Sequence, residues 1–179
     1  MTAVCGDPRD DTQGGDDGDH GDRSDDGHGG PDGHLRGALA ALVGSVPRTR
    51  DVAAAELGDR LRGGSLDRAA AELVVTRLVA LVVDEPDDDH GVRESALHSV
   101  SEAFPQYPFP LALFLPLVPG MAEREAELLV HTLCILGSTQ DPAAAALVRP
   151  HLGHADARVR EEAAWALDEI RAGRPSPGP

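Results

Sequence analysis

The sequence predicts an all-α protein, a short α-solenoid of stacked antiparallel helical hairpins. Apolar residues recur at helical spacing along most of the chain, and no stretch alternates apolar and polar residues with a period of two. An Arg-Glu phrase opens an apolar stretch at Arg93, Arg124 and Arg160, which are 31 and 36 residues apart. Because a short hairpin cannot bury its own apolar face, repeated hairpins are expected to stack on one another.

The first 34 residues are predicted to form a disordered acidic tail. They contain ten Asp and nine Gly with two Arg, and they offer almost no apolar surface to offset the entropy of ordering. Histidines 20, 28 and 34 could collect a divalent metal ion, but their spacing matches no metal-binding loop, so a solvated tail is the favoured interpretation. The proline-rich residues 173–179 are predicted to form a frayed end, which leaves 35–172 as one helical domain.

Three helices are expected before the first acidic turn. The first is ended by Pro47, the second spans about 51–62 and ends at Gly63 and Gly64, and the third begins after Ser65 as its N-cap. Leu35, Leu39, Leu42, Val43 and Val46 form the predicted apolar face of the first helix. The face of the third includes Leu66, Ala70, Leu73, Val74, Leu78, Leu81 and Val82.

Five further helical segments follow. A helix over 91–104 ends at Pro105, and Pro110 could begin a short helix to Leu117 in the proline-rich stretch that comes next. A helix is then expected over 121–137, and Asp141-Pro142 starts a short one that reaches about residue 152. The last helix follows the turn at Asp156, and its apolar face is formed by Val159, Ala163, Ala166, Leu167 and Ile170.

The composition narrows the classes of function. The chain has 31 acidic residues against 16 basic ones, all of them Arg, and a formal net charge of -15. Such a charge repels phosphate backbones and anionic lipid, so neither a nucleic acid nor a membrane surface is an expected partner, whereas a basic protein is. No secretory leader and no apolar run of about 20 residues is present, so we expect a cytoplasmic protein.

Two segments carry a resemblance to a known family. Residues 87–97 and 156–167 each run from an Asp-containing turn through Val-Arg into Ala and Leu at helical spacing, and in this they resemble HEAT repeats in the broad sense that includes the phycobilisome-lyase type. The likeness covers residues 66–172. The copy at Arg124 departs from the pattern, with Glu123 and Glu127 at the expected Val and Ala positions. The resemblance implies that Arg93 and Arg160 tie neighbouring hairpins together rather than bind a ligand.

Two surfaces are candidate sites for a protein partner. The first is an acidic turn before the fourth helix, formed by Asp84, Glu85, Asp87, Asp88 and Asp89, since it holds more carboxylates than helix capping requires. A solvated loop is the competing interpretation. The second is the aromatic stretch with Tyr107 and Phe109, which would be binding anchors if exposed, although packing over the core is the favoured alternative.

The expected function is therefore protein binding without catalysis, as an adaptor, an inhibitor or an immunity-type protein. We expect no cofactor and no metal, because the sequence has no nucleophile motif and its two cysteines have no metal-ligand spacing. His151 and His154 could share a metal ion, and a metal-dependent or lyase-like enzyme of the HEAT class is the alternative. Cys134 is expected to be a small buried apolar residue.

Overall fold

The computed structural model describes residues 31–84 and 90–173, and all regular secondary structure within them is helical. Seven α-helices follow one another in these two described ranges: α1 (Pro31–Ala41), α2 (Pro47–Arg62), α3 (Arg68–Asp84), α4 (His90–Ser101), α5 (Ala126–Ser138), α6 (Ala144–Val148) and α7 (Ala157–Ala172). Short 3₁₀ segments lie at Leu111–Leu113, Leu115–Leu117 and Arg149–Gly153.

The helices form two layers. One layer is continuous, because α2 packs on α4, α4 on α5, and α5 on α7. The other elements cover this layer in chain order: α1 lies against α2, α3 against α4, and α6 against α5 and α7. The two 3₁₀ segments at 111–117 take the place of an outer helix beside α3. This arrangement confirms the predicted all-α fold of stacked helical hairpins.

A single apolar core runs through the stack. Its largest fully buried side chains come from both layers, and they include Leu57, Leu78, Leu97, Phe114, Leu128 and Leu133. Each hairpin therefore buries apolar surface against its neighbours as well as between its own helices, as stacked repeats require. No helix among the residues described is long and apolar enough to cross a membrane.

The first helix differs from its prediction at both ends. It begins at Pro31, inside the segment predicted to be tail, and it ends at Ala41 rather than before Pro47. A turn at Leu42 and Val43 and a bend at Gly44 and Ser45 then reverse the chain, and Pro47 becomes the first residue of α2. Val43 is consequently 80% exposed, although helical phase placed it on the apolar face.

The N-terminus of α3 is capped by Asp67, not by Ser65 as predicted. The Oδ1 atom of Asp67 accepts a hydrogen bond of 2.8 Å from the backbone N–H of Ala70. The Ser65 hydroxyl instead lies 3.3 Å from the carbonyl oxygen of Arg60, to which it donates. Leu73 is 45% exposed, so this residue lies outside the buried face to which the sequence assigned it.

The proline-rich stretch forms 3₁₀ turns in place of the predicted helix over 110–117, and α5 begins at Ala126 rather than at residue 121. Pro116 removes a backbone donor there, which favours the tighter turns. The rings of Phe104, Phe109 and Phe114 pack together with centroid distances of 5.6–6.3 Å.

The C-terminal helix agrees with its prediction. Its five predicted apolar residues, Val159, Ala163, Ala166, Leu167 and Ile170, are all buried. Asp156 caps the helix by accepting a hydrogen bond of 2.8 Å from the backbone N–H of Arg158. The guanidinium of Arg160 donates hydrogen bonds of 2.7 and 2.8 Å to the carbonyl oxygens of His154 and Ala155. These bonds stabilise the turn that precedes α7.

Candidate functional site

The solvent side of α7 carries an exposed tryptophan surrounded by carboxylates. Trp165 is 63% exposed and lies opposite the buried apolar stripe of its helix. The positions three and four residues before and after it are all acidic: Glu161, Glu162, Asp168 and Glu169. These four positions are the neighbours of Trp165 on a helix surface. We call Trp165 and these four acids the Trp165 patch.

One side of the Trp165 patch lies against α5. Glu162 is half-buried there, and burial, followed by the nearby charge of Glu169, raises the pKa of its carboxyl group. A hydrogen bond with Cys134 partly opposes this rise. Glu169 lies close to α5 as well, because a Cβ at Gly137 would be 2.8 Å from its Oε2 atom. The patch therefore continues into the groove between the two helices.

Cys134 lies half-buried beside Glu162, in surroundings that favour the protonated thiol. Burial is the main cause that raises its pKa to about 11, and the charges of Glu162, Glu169 and Glu102 add to the effect. A thiol with that pKa is almost entirely neutral near pH 7, and the nucleophile in thiol chemistry is the thiolate. The surroundings of Cys134 thus oppose nucleophilic catalysis at this position.

Histidine and glutamate side chains of α4 and α5 form a second polar surface. The His98 and His131 rings meet edge to face at a centroid distance of 5.8 Å. Burial and then the proximity of His98 lower the pKa of His131, while Glu94 and Glu127 oppose that shift. The two polar surfaces together therefore hold carboxylates from three adjacent helices.

His90, at the start of α4, joins α4 to α5 through carboxylates. Its Nδ1 atom lies 2.6 Å from Oε2 of Glu125, and its Nε2 atom lies 3.5 Å from Oε2 of Glu127. Glu94, on the same helix as His90, is 3.8 Å from Nε2. These contacts place an ionisable link between helices whose surfaces both carry acidic groups.

Residues 31–84 and 90–173 contain no group of three or more His, Cys, Asp or Glu side chains arranged to hold a metal ion. The pair His151 and His154 has ring centroids 6.5 Å apart. Nδ1 of His154 accepts a hydrogen bond of 3.1 Å from the backbone N–H of Asp156, so that atom is engaged in the turn before α7. Burial and the proximity of His154 lower the pKa of His151.

The residues predicted for partner binding have different locations. Asp84 is exposed at the C-terminal end of α3, and Glu85, Asp87, Asp88 and Asp89 lie outside the described residues. The acidic turn therefore remains a prediction.

The aromatic stretch does not supply exposed anchors. Phe109 is only 4% exposed, because it packs against Phe104 and Phe114. The Tyr107 ring stacks on Phe109, and its hydroxyl both donates to the carbonyl oxygen and accepts from the N–H of Leu66, each at 3.0 Å. Packing over the core, which was the alternative interpretation, describes both residues.

The sequence analysis did not assign a role to Trp165, although a signal was present. In the predicted apolar stripe of the last helix, Trp165 falls between the buried positions Ala163 and Ala166, and its neighbours three and four residues away are all acidic. A large aromatic residue that is out of phase with its own helix must lie on the surface.

Comparisons with known proteins inform the fold alone. No family model matches the sequence, and no curated protein matches it. Among solved structures, the chain is similar to the crystal structure of an engineered protein, a Northeast Structural Genomics Consortium target, with a TM-score of 0.55 and 17% identity. The similarity covers 76% of this chain and 62% of the engineered protein.

Proposed function

We propose that this chain is a cytoplasmic, non-catalytic protein-binding module and that its Trp165 patch recognises a basic partner. The observation that carries the proposal is the exposure of Trp165 at the centre of four carboxylates. A large apolar ring on the surface of a protein is a common feature of binding sites, and tryptophan is among the residues most enriched in binding hot spots.

The chemistry of the patch favours an arginine or lysine side chain as its ligand. The indole face attracts a cation through its quadrupole, and the surrounding carboxylates attract it by Coulomb forces and accept its hydrogen bonds. A basic segment that lies along α7 could place its aliphatic stems on the indole and its charged groups on the acids. Asp168 already pairs with Arg171, but an acidic or uncharged partner would leave the other carboxylates of the patch desolvated without compensation.

The distribution of charge supports the same assignment. Residues 31–84 contain seven acidic residues and seven arginines, whereas 90–173 contain eleven acidic residues and six arginines. The negative charge of the described domain is thus concentrated in the half that contains α7. A field of one sign on one part of a surface accelerates association with an oppositely charged partner and loses strength as salt is added.

The fold is suited to such a role, because a stack of hairpins presents a long, rigid surface. We extend the proposal to a HEAT-type origin for the stack and to a role as an adaptor, an inhibitor or an immunity-type protein. The predicted acidic turn at 84–89 would then be a second contact for the same basic partner.

The proposal can be tested directly, because Trp165 is the one tryptophan of the sequence. Titration of the full chain with a synthetic peptide rich in arginine and lysine should change the tryptophan fluorescence in a saturable way. An acidic peptide of equal length should leave it unchanged. The apparent affinity should fall as the salt concentration rises and the screening length drops below about 10 Å.

A pair of charge variants separates this patch from general attraction to an acidic protein. Glu161→Gln with Glu169→Gln removes two exposed charges beside Trp165 and should weaken peptide binding by about fivefold. Glu56→Gln with Asp59→Asn removes two exposed charges from α2 and should have little effect. Equal weakening by both double variants, or no fluorescence change in the unmodified protein, would contradict the proposal.

A further inference from the structure

The outer side of α3 forms a ridge with both apolar and charged members. Leu73, Arg77, Ala80 and Asp84 follow one another at spacings of four, three and four residues, so they share one face of the helix. Leu73 is 45% exposed, Arg77 and Asp84 are exposed, and Ala80 is half-buried. We call these four residues the α3 ridge.

Grooves flank the α3 ridge on both sides. A groove of about 520 Å³ separates it from α1 and is lined by Leu39, Leu42 and Val43 on the α1 side. A smaller groove of about 320 Å³ lies between α3 and the 3₁₀ segments and includes Val83, which is 49% exposed. The outer layer thus leaves apolar side chains in contact with water on both sides of α3, and such surface favours association.

The α3 ridge is complementary to itself. If two copies of α3 pack antiparallel about a two-fold axis between Ala80 and Leu81, residue 77 of each copy faces residue 84 of the other. Arg77 of one copy then meets Asp84 of its partner, and the same pair forms a second time by symmetry. The small side chain of Ala80 lies near the axis, where two helices approach most closely. Both signs of charge and the apolar surface are thus used within one symmetric contact.

The charge of the chain also favours this face. The formal net charge is -15, so two copies repel each other over most of their surfaces. Residues 31–84, which contain the α3 ridge, have seven acidic residues and seven arginines and so carry no net formal charge. Two copies therefore meet less repulsion through residues 31–84 than through residues 90–173, but Glu85, Asp87, Asp88 and Asp89 add four negative charges directly after Asp84 in the sequence.

We propose that the α3 ridge is a homodimer interface, in which Arg77 of each copy pairs with Asp84 of the other and the exposed Val83 is covered. The contact leaves the Trp165 patch, on a different helix, available to a partner, but it engages Asp84, which the acidic turn would otherwise offer to that partner. The proposal therefore does not depend on the function proposed above.

The experiment measures the mass of the full chain in solution by light scattering and by analytical ultracentrifugation. The unmodified protein should shift from the 18.7 kDa chain towards twice that mass as its concentration rises from about 1 μM to about 1 mM. Arg77→Asp alone and Asp84→Arg alone should each raise the dissociation constant at least about tenfold, because each places like charges opposite one another.

Mixing the two single variants provides the decisive measurement. An Arg77→Asp chain presents two acids to the two arginines of an Asp84→Arg chain, so the equimolar mixture should form a heterodimer at concentrations where each variant alone is a monomer. Arg68→Asp is the matched control, because it makes the same charge change on α3 but lies off the α3 ridge, and it should dimerise like the unmodified protein.

Three results would overturn the proposal. One is an unmodified chain that stays monomeric over the whole concentration range. The second is a mixture of the two variants that does not associate. The third is dimerisation that appears only after residues 1–30 are deleted. That result would mean that the acidic tail, and not a second copy, covers the α3 ridge in the full chain.

Discussion

Gly58 of α2 lies directly against Ser99 of α4. A Cβ atom at Gly58 would be 2.7 Å from the Cβ of Ser99 and closer still to its hydroxyl oxygen. The same hydroxyl donates a hydrogen bond of 3.0 Å to the carbonyl oxygen of Ala54, one turn earlier on α2. The absence of a side chain at Gly58 thus sets how closely the first two hairpins approach.

Gly58→Ala should therefore destabilise the protein, by about 1–3 kcal/mol, although alanine normally stabilises a helix. The added methyl group must push Ser99 away and weaken its hydrogen bond to Ala54. Gly37→Ala is the matched control, since no atom lies within 4 Å of a Cβ at that helical position, and it should stabilise by about 0.5–1 kcal/mol. Urea unfolding of both variants measures the difference, and stabilisation in both would contradict the contact.

Tyr107→Phe tests the link between the aromatic cluster and the loop before α3. The change keeps the ring that stacks on Phe109 but removes the hydroxyl that forms hydrogen bonds with both the N–H and the carbonyl of Leu66. We expect a loss of about 1 kcal/mol in the free energy of unfolding, because Tyr107 is half-exposed and water can replace part of the lost hydrogen bonding to Leu66. An unchanged urea midpoint would show that the hydroxyl contributes nothing.

Val159→Asp tests the buried stripe of α7. Val159 is fully buried, and an unpaired carboxylate at that position should cost about 3 kcal/mol or more and unfold the C-terminal end. Ala164→Asp adds the same group on the exposed side of the same helix and should leave the melting temperature nearly unchanged. Native-like circular dichroism and melting of the Val159 variant would mean that the phase of the helix is wrong.

Glu162→Gln has a predicted pH dependence. Because burial raises the pKa of Glu162 in the folded state, ionisation of this group lowers stability above that pKa. The variant should melt at a higher temperature than the unmodified protein near pH 7. The advantage should shrink as the pH falls through the raised pKa towards the ordinary value of 4.5 and should be absent below it. The exposed neighbour variant Glu161→Gln is the control, and a pH-independent difference for Glu162→Gln would contradict the mechanism.

The parts of the fold that the sequence predicted well are those where a strong cap and an unbroken apolar stripe agree. In α7, the Asp156 cap and the five buried residues from Val159 to Ile170 all lie where the pattern put them. The first helix was misjudged because apolar spacing continues through Val43 and Val46, while the helix itself ends at Ala41. Spacing cannot distinguish a helix from a turn whose apolar residues remain exposed.

The candidate site was less predictable than the fold. The helical phase of α7 already separates Trp165 from the buried stripe, so its exposure could have been inferred. The position of Phe109 could not, because it depends on contacts with Phe104 and Phe114 that form only when the 3₁₀ segments fold over α3. The pairing of α5 with α7 across Cys134 and Glu162 is likewise a tertiary relationship with no local signal.

In the continuous layer of α2, α4, α5 and α7, one contact is weaker than the others, and this affects how the protein unfolds. The contact between α4 and α5 is smaller than the contacts of α2 with α4 and of α5 with α7. A linear array tends to unfold in blocks that separate at such a join, each block losing its amide protection as a unit. The two blocks here are the part of the chain up to the 3₁₀ segments at 111–117 and the part formed by α5, α6 and α7. His90 and its glutamate contacts lie at this boundary, so hydrogen exchange in the two blocks should diverge once these contacts are broken.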